Sequence, residues 1–329
     1  MFVSYAQNFE DVMLWRALKH VATGFYIDVG ANDPKLDSVT KHFYDHGWHG
    51  INVEPLAQHI ADLQRERPND VNLQLAVGST AGQLQLWEAD VRGWATADSS
   101  VIEMHQAKGH QGQSHTVEVQ TMLQVCQAHA QDEIHFLKID VEGFEAEVLR
   151  GADFQRYRPW IVVVEATRPN SNEASYSQWE PILLENAYAL AYADGLNRYY
   201  VSSEHAELLP ALQYPPNVFD EFQKVEYVNL AQRIHWLEAQ LQQAQEEARV
   251  SESLFNALQG LNTQLTQFEG GLTNANQAAR QAVQEAFGNK NNAEPLKRSL
   301  IASERFKQQI QSELDDLKRN ISEVTRARN

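Results

Sequence analysis

The chain has 329 residues and a formal net charge of −17, from 27 Lys and Arg against 44 Asp and Glu. The imbalance is local: residues 1–224 hold 15 basic and 31 acidic side chains, whereas residues 225–329 hold 12 and 13. A head this acidic argues against a broad basic face for nucleic acid, no apolar run approaches the ~20 residues of a membrane span, and the single cysteine, Cys126, excludes an intrachain disulfide.

The opening MFVSYAQNFEDV lacks a basic stretch followed by an apolar one, so no secretory leader is expected and a cytoplasmic setting is. Phe25 to Val29 reads as a strand ending at Gly30, and Lys35 to His46 as a helix. Gly50 to Val53 is a second strand, Leu56 to Arg67 a helix, and Val71 to Val77 a third strand. Gln83 to Trp87 and Thr116 to Val119 are further strands. Gln120 to Ala130 has helical period and carries Cys126, read as a core thiol. Ile134 to Ile139 and Trp160 to Val164 are near-continuous apolar strands, with a helix starting at Glu145 between them. Ala187 to Ala193 and Arg198 to Val201 flank Asp194-Gly195 as an antiparallel hairpin. Repeated β-α alternation predicts an α/β head with a mostly parallel sheet and helices on both faces. Residues 93–114 show little periodicity and read either as a lid over the carboxyl edge of the sheet or as a surface insertion.

The tail obeys another rule. Leu230, Ile234, Leu237, Leu241, Ala244, Ala248, Ser251, Phe255 and Leu258 alternate spacings of four and three, and the register continues to Ala286. This 3.5-residue period predicts a coiled coil over 225–287, which would reach about 95 Å at the rise of an α-helix. Gly270-Gly271 weaken it, residues 288–295 form a linker, and a second seam runs through 296–329. Asn262 and Asn276 in the seam would fix register and strand number, with two, three or four strands open. The tail is either extended or folded back as a helical hairpin.

Three patterns in the head carry chemistry. In Tyr26 to Asp33 (YIDVGAND), Asp28 ends a strand and Gly30 opens a tight turn, as in a nucleotide-cofactor loop, although Asn32 replaces the second glycine of a dinucleotide fingerprint. Glu54 ends the next strand, where a carboxylate accepts from both ribose hydroxyls, or serves the helix that follows Pro55. Asp140 and Glu165 leave two adjacent strands at the carboxyl edge. They can hold one divalent cation such as Mg²⁺, or one of them can act as general base without metal. Glu142 and Glu145 follow Asp140, and Glu145 reads as a helix cap.

These residues, with SYAQNFEDVML, DSVTKHFYDHGWHGINVEP, FLKIDVEGFEAEVLRGADF, WIVVVEA, DGLNRYYV and PPNVFDEF, resemble the FkbM family of S-adenosylmethionine-dependent methyltransferases over about residues 1–222. The resemblance implies a class I, Rossmann-like sheet of seven strands, a methyl donor over Asp28 to Asn32, and ribose contact by Glu54. It implies O-methylation, commonly of sugars, and places Gln7, Asn8 and Asp11 in a motif that folds over the cofactor. Asp140 and Glu142 match the motif after the fourth strand. Around this site, Ser99 and Ser100 are candidate cofactor or acceptor ligands, and His105, His110 and His115 candidate proton acceptors. Asp194, Asn197 and Arg198 are candidate sugar ligands, because short polar side chains match hydroxyl groups.

The expected function is O-methylation of a bacterial surface glycan or its lipid-linked precursor, at the inner face of the cytoplasmic membrane or free in the cytoplasm. A dimeric or trimeric coiled coil would act as oligomeriser and length ruler, beside other glycan-assembly enzymes. The alternative is a catalytically idle scaffold recruiting partners through its tail. A nicotinamide oxidoreductase is disfavoured by the missing glycine.

Overall fold

The computed structural model describes residues 2–131 and 133–269, with the single positions 301, 305, 308, 309 and 312. The chain divides into two compact units, Met1–Lys224 and Val225–Asn329.

The head is organised by a seven-stranded sheet, whose strands in chain order are β1 (Phe25–Val29), β2 (His49–Val53), β3 (Val71–Leu73), β4 (Phe136–Ile139), β5 (Ile161–Glu165), β6 (Tyr188–Ala193) and β7 (Asn197–Ser202). Their spatial order is β6-β7-β5-β4-β1-β2-β3, with β7 antiparallel to both of its neighbours and the remaining pairs parallel. β1 and β5 are rich in β-branched and aromatic residues because both faces of the sheet are covered. Ile27, Val29, Leu137, Ile139, Val162 and Val164 pack on one face against the helices Met122–His129, Glu145–Arg150 and Glu180–Glu185. Tyr26, Phe136, Ile161, Val163 and Tyr199 pack on the other, against Glu10–Leu18, Lys41–Asp45 and Leu209–Leu212. Each fully buried aliphatic side chain contributes about 1.5–3 kcal/mol, so the two layers together hold the sheet edge rigid. Cys126 lies in the first layer, and burial pushes its thiol up to about 12.

The sheet is thus mixed rather than cleanly parallel, and two further sheets accompany it. One is a four-stranded sheet of Ala76–Gly78, Gly112–Thr121, Gly82–Ala89 and Ala95–Thr96, in that order. The other pairs Phe2–Ser4 with Phe222–Lys224 in parallel. The single strand expected over 71–77 is split between two sheets, Val71–Leu73 in the main one and Ala76–Gly78 in the four-stranded one. The helix expected over 35–46 covers only Lys41–Asp45. The segment 93–114 is structured: it contains the strand Ala95–Thr96 and the helix Ser99–Ala107, capped by Asp98 accepting from the Ser100 amide.

The tail begins with one helix, Val225–Glu269. Within it Leu237, Ala244 and Ala248 are buried and Leu230, Ile234, Leu241 and Ser251 half-buried, while most residues between them are exposed. The seam beyond residue 269, the linker 288–295 and the second seam over 296–329 lie outside the described residues, apart from the five single positions.

Candidate functional site

A cavity of about 240 Å³ opens at the carboxyl ends of β1, β2 and β4. The chain steps outward from β1 to β2 and β3, then returns to the other side of β1 as β4. Loops on the two sides diverge there, which leaves a crevice at the edge of the sheet.

One half of the cavity is built by the turn after β1. The Gly30 and Ala31 amides donate to the Val53 carbonyl at 3.0 and 3.2 Å. Gly30 has φ +84, and a Cβ there would stand 1.8 Å from the Asp140 carbonyl oxygen. The glycine is therefore demanded by the neighbouring strand end as much as by any ligand. Asn32 has φ 46, a left-handed conformation that Asn tolerates, so the turn closes without a second glycine. Glu54, 5% exposed, accepts from the Asn32 amide (3.0 Å) on one oxygen and from the Leu56 amide (3.0 Å) on the other. Its carboxylate thus binds the turn to the start of the helix Ala57–Glu66 and also lines the cavity. Arg92 clamps the same turn from above, donating to the Asn32 side chain (3.1 Å) and carbonyl (3.0 Å) and reaching Asp62 (3.2 Å).

The centre of the cavity is charged. Asp28, 2% exposed, accepts from the Thr40 hydroxyl at 3.1 Å on one oxygen. Its other oxygen, among the described residues, has no hydrogen-bond partner and lies 3.4 Å from Lys138 Nζ. Burial pushes the Asp28 carboxyl up, against Lys138 and Arg67. Lys138 donates to the Gly30 carbonyl at 3.0 Å and lies 3.4 Å from Asp140. Burial works against its ammonium, but Asp140 and Asp28 outweigh that and raise its pKa above the ordinary lysine value.

Beyond Lys138 stands a group of carboxyls. Burial, then the charges of Asp140 and Glu145, push Glu142 up to about 8. Glu165 is pushed up to about 10 by burial and then by Asp140, Glu142 and Glu145. Glu145 accepts from the Gly143 and Val141 amides at 3.0 and 3.3 Å, so it fixes the loop ahead of its helix. Burial still lifts it to about 7. Among the described residues no three His, Cys, Asp or Glu side chains converge as a metal-holding group.

The far wall joins β7 to the N-terminal segment. Asn197 faces Glu165 across the β5–β7 ladder and lines the cavity, as do Gln7 and Glu10. Its side-chain amide donates to Glu10 at 2.7 Å. Glu10 is raised to about 7 by burial, against its own and the Asn8 backbone amides.

Several expected ligands serve the scaffold instead. Asp11 is fully buried and accepts from the Ser4 hydroxyl and the Tyr5, Ala6 and Val12 amides, so it shapes the N-terminal segment without lining the cavity. Asp194 accepts from the Leu196 amide at 2.8 Å and holds the hairpin turn. Arg198 follows Asn197 on a strand, so its side chain leaves by the opposite face. It donates to Glu180 (2.7 Å) and Tyr200 (2.9 Å) and lies over the Tyr176 ring. Ser99 is exposed on the first turn of its helix, away from the cavity, and the Ser100 hydroxyl donates to Asp98. His105 is 1% exposed between Trp87 and Trp94, and burial lowers its pKa. His110 pairs with Asp90 and His115 with Glu88.

Among the lining residues given no role in the sequence are four large polar or aromatic ones, Glu10, Arg92, Trp94 and Lys138. Only Lys138 carried a local signal, a charge inside the apolar strand FLKI where side chains on both faces are buried. Arg92 and Trp94 reach the site from the four-stranded sheet; two of its strands and the lid reading of 93–114 were legible in the sequence, but not which side chains would enter the cavity.

The family model of the methyltransferase FkbM domain matches residues 28–190. No curated protein matches the chain.

Proposed function

The chain belongs to the FkbM methyltransferase family through residues 28–190, and on that premise we propose that it is an S-adenosylmethionine-dependent O-methyltransferase. Its acceptor is a sugar hydroxyl of a bacterial surface polysaccharide or of its lipid-linked precursor. The observation that carries the reading is the acidic cavity at the strand reversal, with Asp28 and Glu54 on one side and Asp140 and Asn197 on the other.

The residues fit the donor. Asp28 lines the cavity with one oxygen that accepts no hydrogen bond among the described residues and is paired by charge with Lys138, and Glu54 keeps lone pairs for ribose hydroxyls. Leu56, Ala76, Val77, Leu84 and Leu86 form an apolar lobe suited to a base ring. The donor supplies a methyl group on a positively charged sulfur, which leaves as a neutral thioether.

The other half handles the acceptor. Asn197, which lines the cavity, orients the hydroxyl, while its ladder neighbour Glu165 stands behind that wall without lining the cavity. As the acceptor oxygen gains the methyl carbon, its proton passes to Asp140, a cavity-lining carboxylate with 39% side-chain exposure. Trp94 and the four-stranded sheet beside it shelter the cavity from water. An acidic wall repels phosphate and uronate groups, so neutral sugars are the favoured acceptors.

Calorimetry with S-adenosylmethionine and labelled-methyl transfer to a panel of glycan precursors test the reading. Binding and transfer are expected, and a wild type that binds no donor overturns it. Repeating transfer with Mg²⁺ and in chelator decides whether Asp140 and Glu165 hold a cation. The proposed setting is the cytoplasm or the inner face of its membrane, with the tail joining copies as a coiled coil. No helix among the described residues is long and apolar enough to cross a membrane.

A further inference from the structure

We infer that Arg67 is a positioning residue for the donor half of the cavity: it fixes the wall segment 34–40 and, through the Thr40 hydroxyl, the Asp28 carboxylate. The inference rests on the donor reading above. Neither Arg67 nor Thr40 lines the cavity; Thr40 falls within the segment DSVTKHFYDHGWHGINVEP but was given no role there, and Arg67 lies outside every motif of the resemblance.

Arg67 is fully buried at 0% exposure. Its guanidinium donates twice to the Pro34 carbonyl (3.2 and 2.9 Å), to the Ser38 hydroxyl (2.8 Å), to the Tyr26 hydroxyl (3.2 Å) and to the Thr40 hydroxyl (3.3 Å). Asp70, 3.6 Å away, offsets the charge. A buried cation with its donors satisfied and a counterion beside it is a fixed object, costly to displace. It grips both ends of a segment whose Leu36, Asp37, Ser38 and Val39 line the cavity. That grip explains why residues 35–40 depart from the expected helix, with Asp37 at φ 54, and why helix begins only at Lys41.

Thr40 shows where the grip leads. It occupies the N-cap position of the helix Lys41–Asp45, yet its side chain makes no capping bond. A threonine there ordinarily accepts from a helical amide. Here the hydroxyl accepts from Arg67 and donates to Asp28 at 3.1 Å. The direction is forced: a guanidinium can only donate, so the hydroxyl proton must point at the carboxylate. One Asp28 oxygen is thereby occupied from below, and the other is left beside Lys138 with no hydrogen-bond partner among the described residues.

The test uses the full chain, with S-adenosylmethionine as calorimetric probe and steady-state methyl transfer beside it. Thr40→Val keeps the side-chain shape and removes the relay. It is expected to weaken donor binding about tenfold and to raise the donor KM in parallel, as loss of one charge-assisted hydrogen bond would. The acceptor KM, and kcat at saturating donor, should stay within about twofold, whereas general loss of structure would move all of them. Thr40→Ser should restore donor affinity, and Arg67→Lys, which cannot reproduce the planar fork, should weaken it. A Thr40→Val chain that binds donor as the wild type does, or one in which kcat and both KM values worsen together, overturns the inference while leaving the donor reading intact. A wild type that binds no donor removes both.

Discussion

Single residues in the head are held by opposing demands, and Gly30 is the sharpest case. Its positive φ and the Asp140 carbonyl 1.8 Å from any added Cβ make even a methyl group intolerable. Gly30→Ala is expected to cost at least about 2–3 kcal/mol of stability, read by chemical denaturation. The buried carboxyls set a pH dependence. Glu10 and Glu145 are raised from 4.5 to about 7 and Glu142 to about 8, chiefly by burial. The folded chain therefore favours their protonated forms. Their stabilisation is full below about pH 4.5 and is lost as pH rises through 7 to 8. His42 works oppositely: burial, then His46, lowers it from 6.5 to about 3, so its contribution is present above 6.5 and lost as pH falls. The melting temperature of the donor-free chain should fall from pH 6 to pH 9, and a rise across that interval would contradict these assignments. A cationic donor placed among the ionised carboxyls should recover part of the loss.

At the scale of elements, strand alternation divides labour between neighbours. Asn197 faces the cavity, while Arg198 braces Glu180 and Tyr200 on the opposite face of β7. Asn197→Ala is expected to raise the acceptor KM roughly tenfold, at a stability cost of about 1–3 kcal/mol from the Glu10 oxygen left without its donor. Arg198→Ala should lower the melting temperature while leaving the acceptor KM near the wild-type value. The DGLNR pattern placed both residues at the hairpin correctly, but it held no information on which face each would take until β7 paired with β5 in register Glu165↔Asn197. The same limit applies to Lys35–Thr40, whose helical pattern was overridden by a buried arginine about 30 residues further along the chain.

At the scale of the whole chain, the N-terminal strand Phe2–Ser4 pairs with Phe222–Lys224, the last strand of the head. Ser4 in turn donates to Asp11, which organises the segment carrying Gln7 and Glu10 to the cavity wall. A chain ending at residue 224 should fold and bind donor, because the pairing is kept. One ending at residue 220 loses that strand and should bind donor more weakly, as calorimetry of the two would show. The tail extends the proposal outward: shortening the segment 225–287 by whole heptads should shift the length distribution of the modified glycan on a gel. An unchanged distribution would sink the ruler idea.

The sequence by itself determined the α/β alternation, the turn at Gly30 and the carboxylates at the ends of β1, β2, β4 and β5, because each is a local period or a local steric rule. The charge count separated head from tail for the same reason, since composition follows the surface each part must present. What only the tertiary structure decided is which polar residues meet. Lys138 joins Asp28 to Asp140, Glu10 reaches Asn197, and Arg67 reaches Asp28 through Thr40, each across strands or layers. Such contacts depend on strand order, register and facing, and side chains distant in sequence acquire them only when the sheet closes.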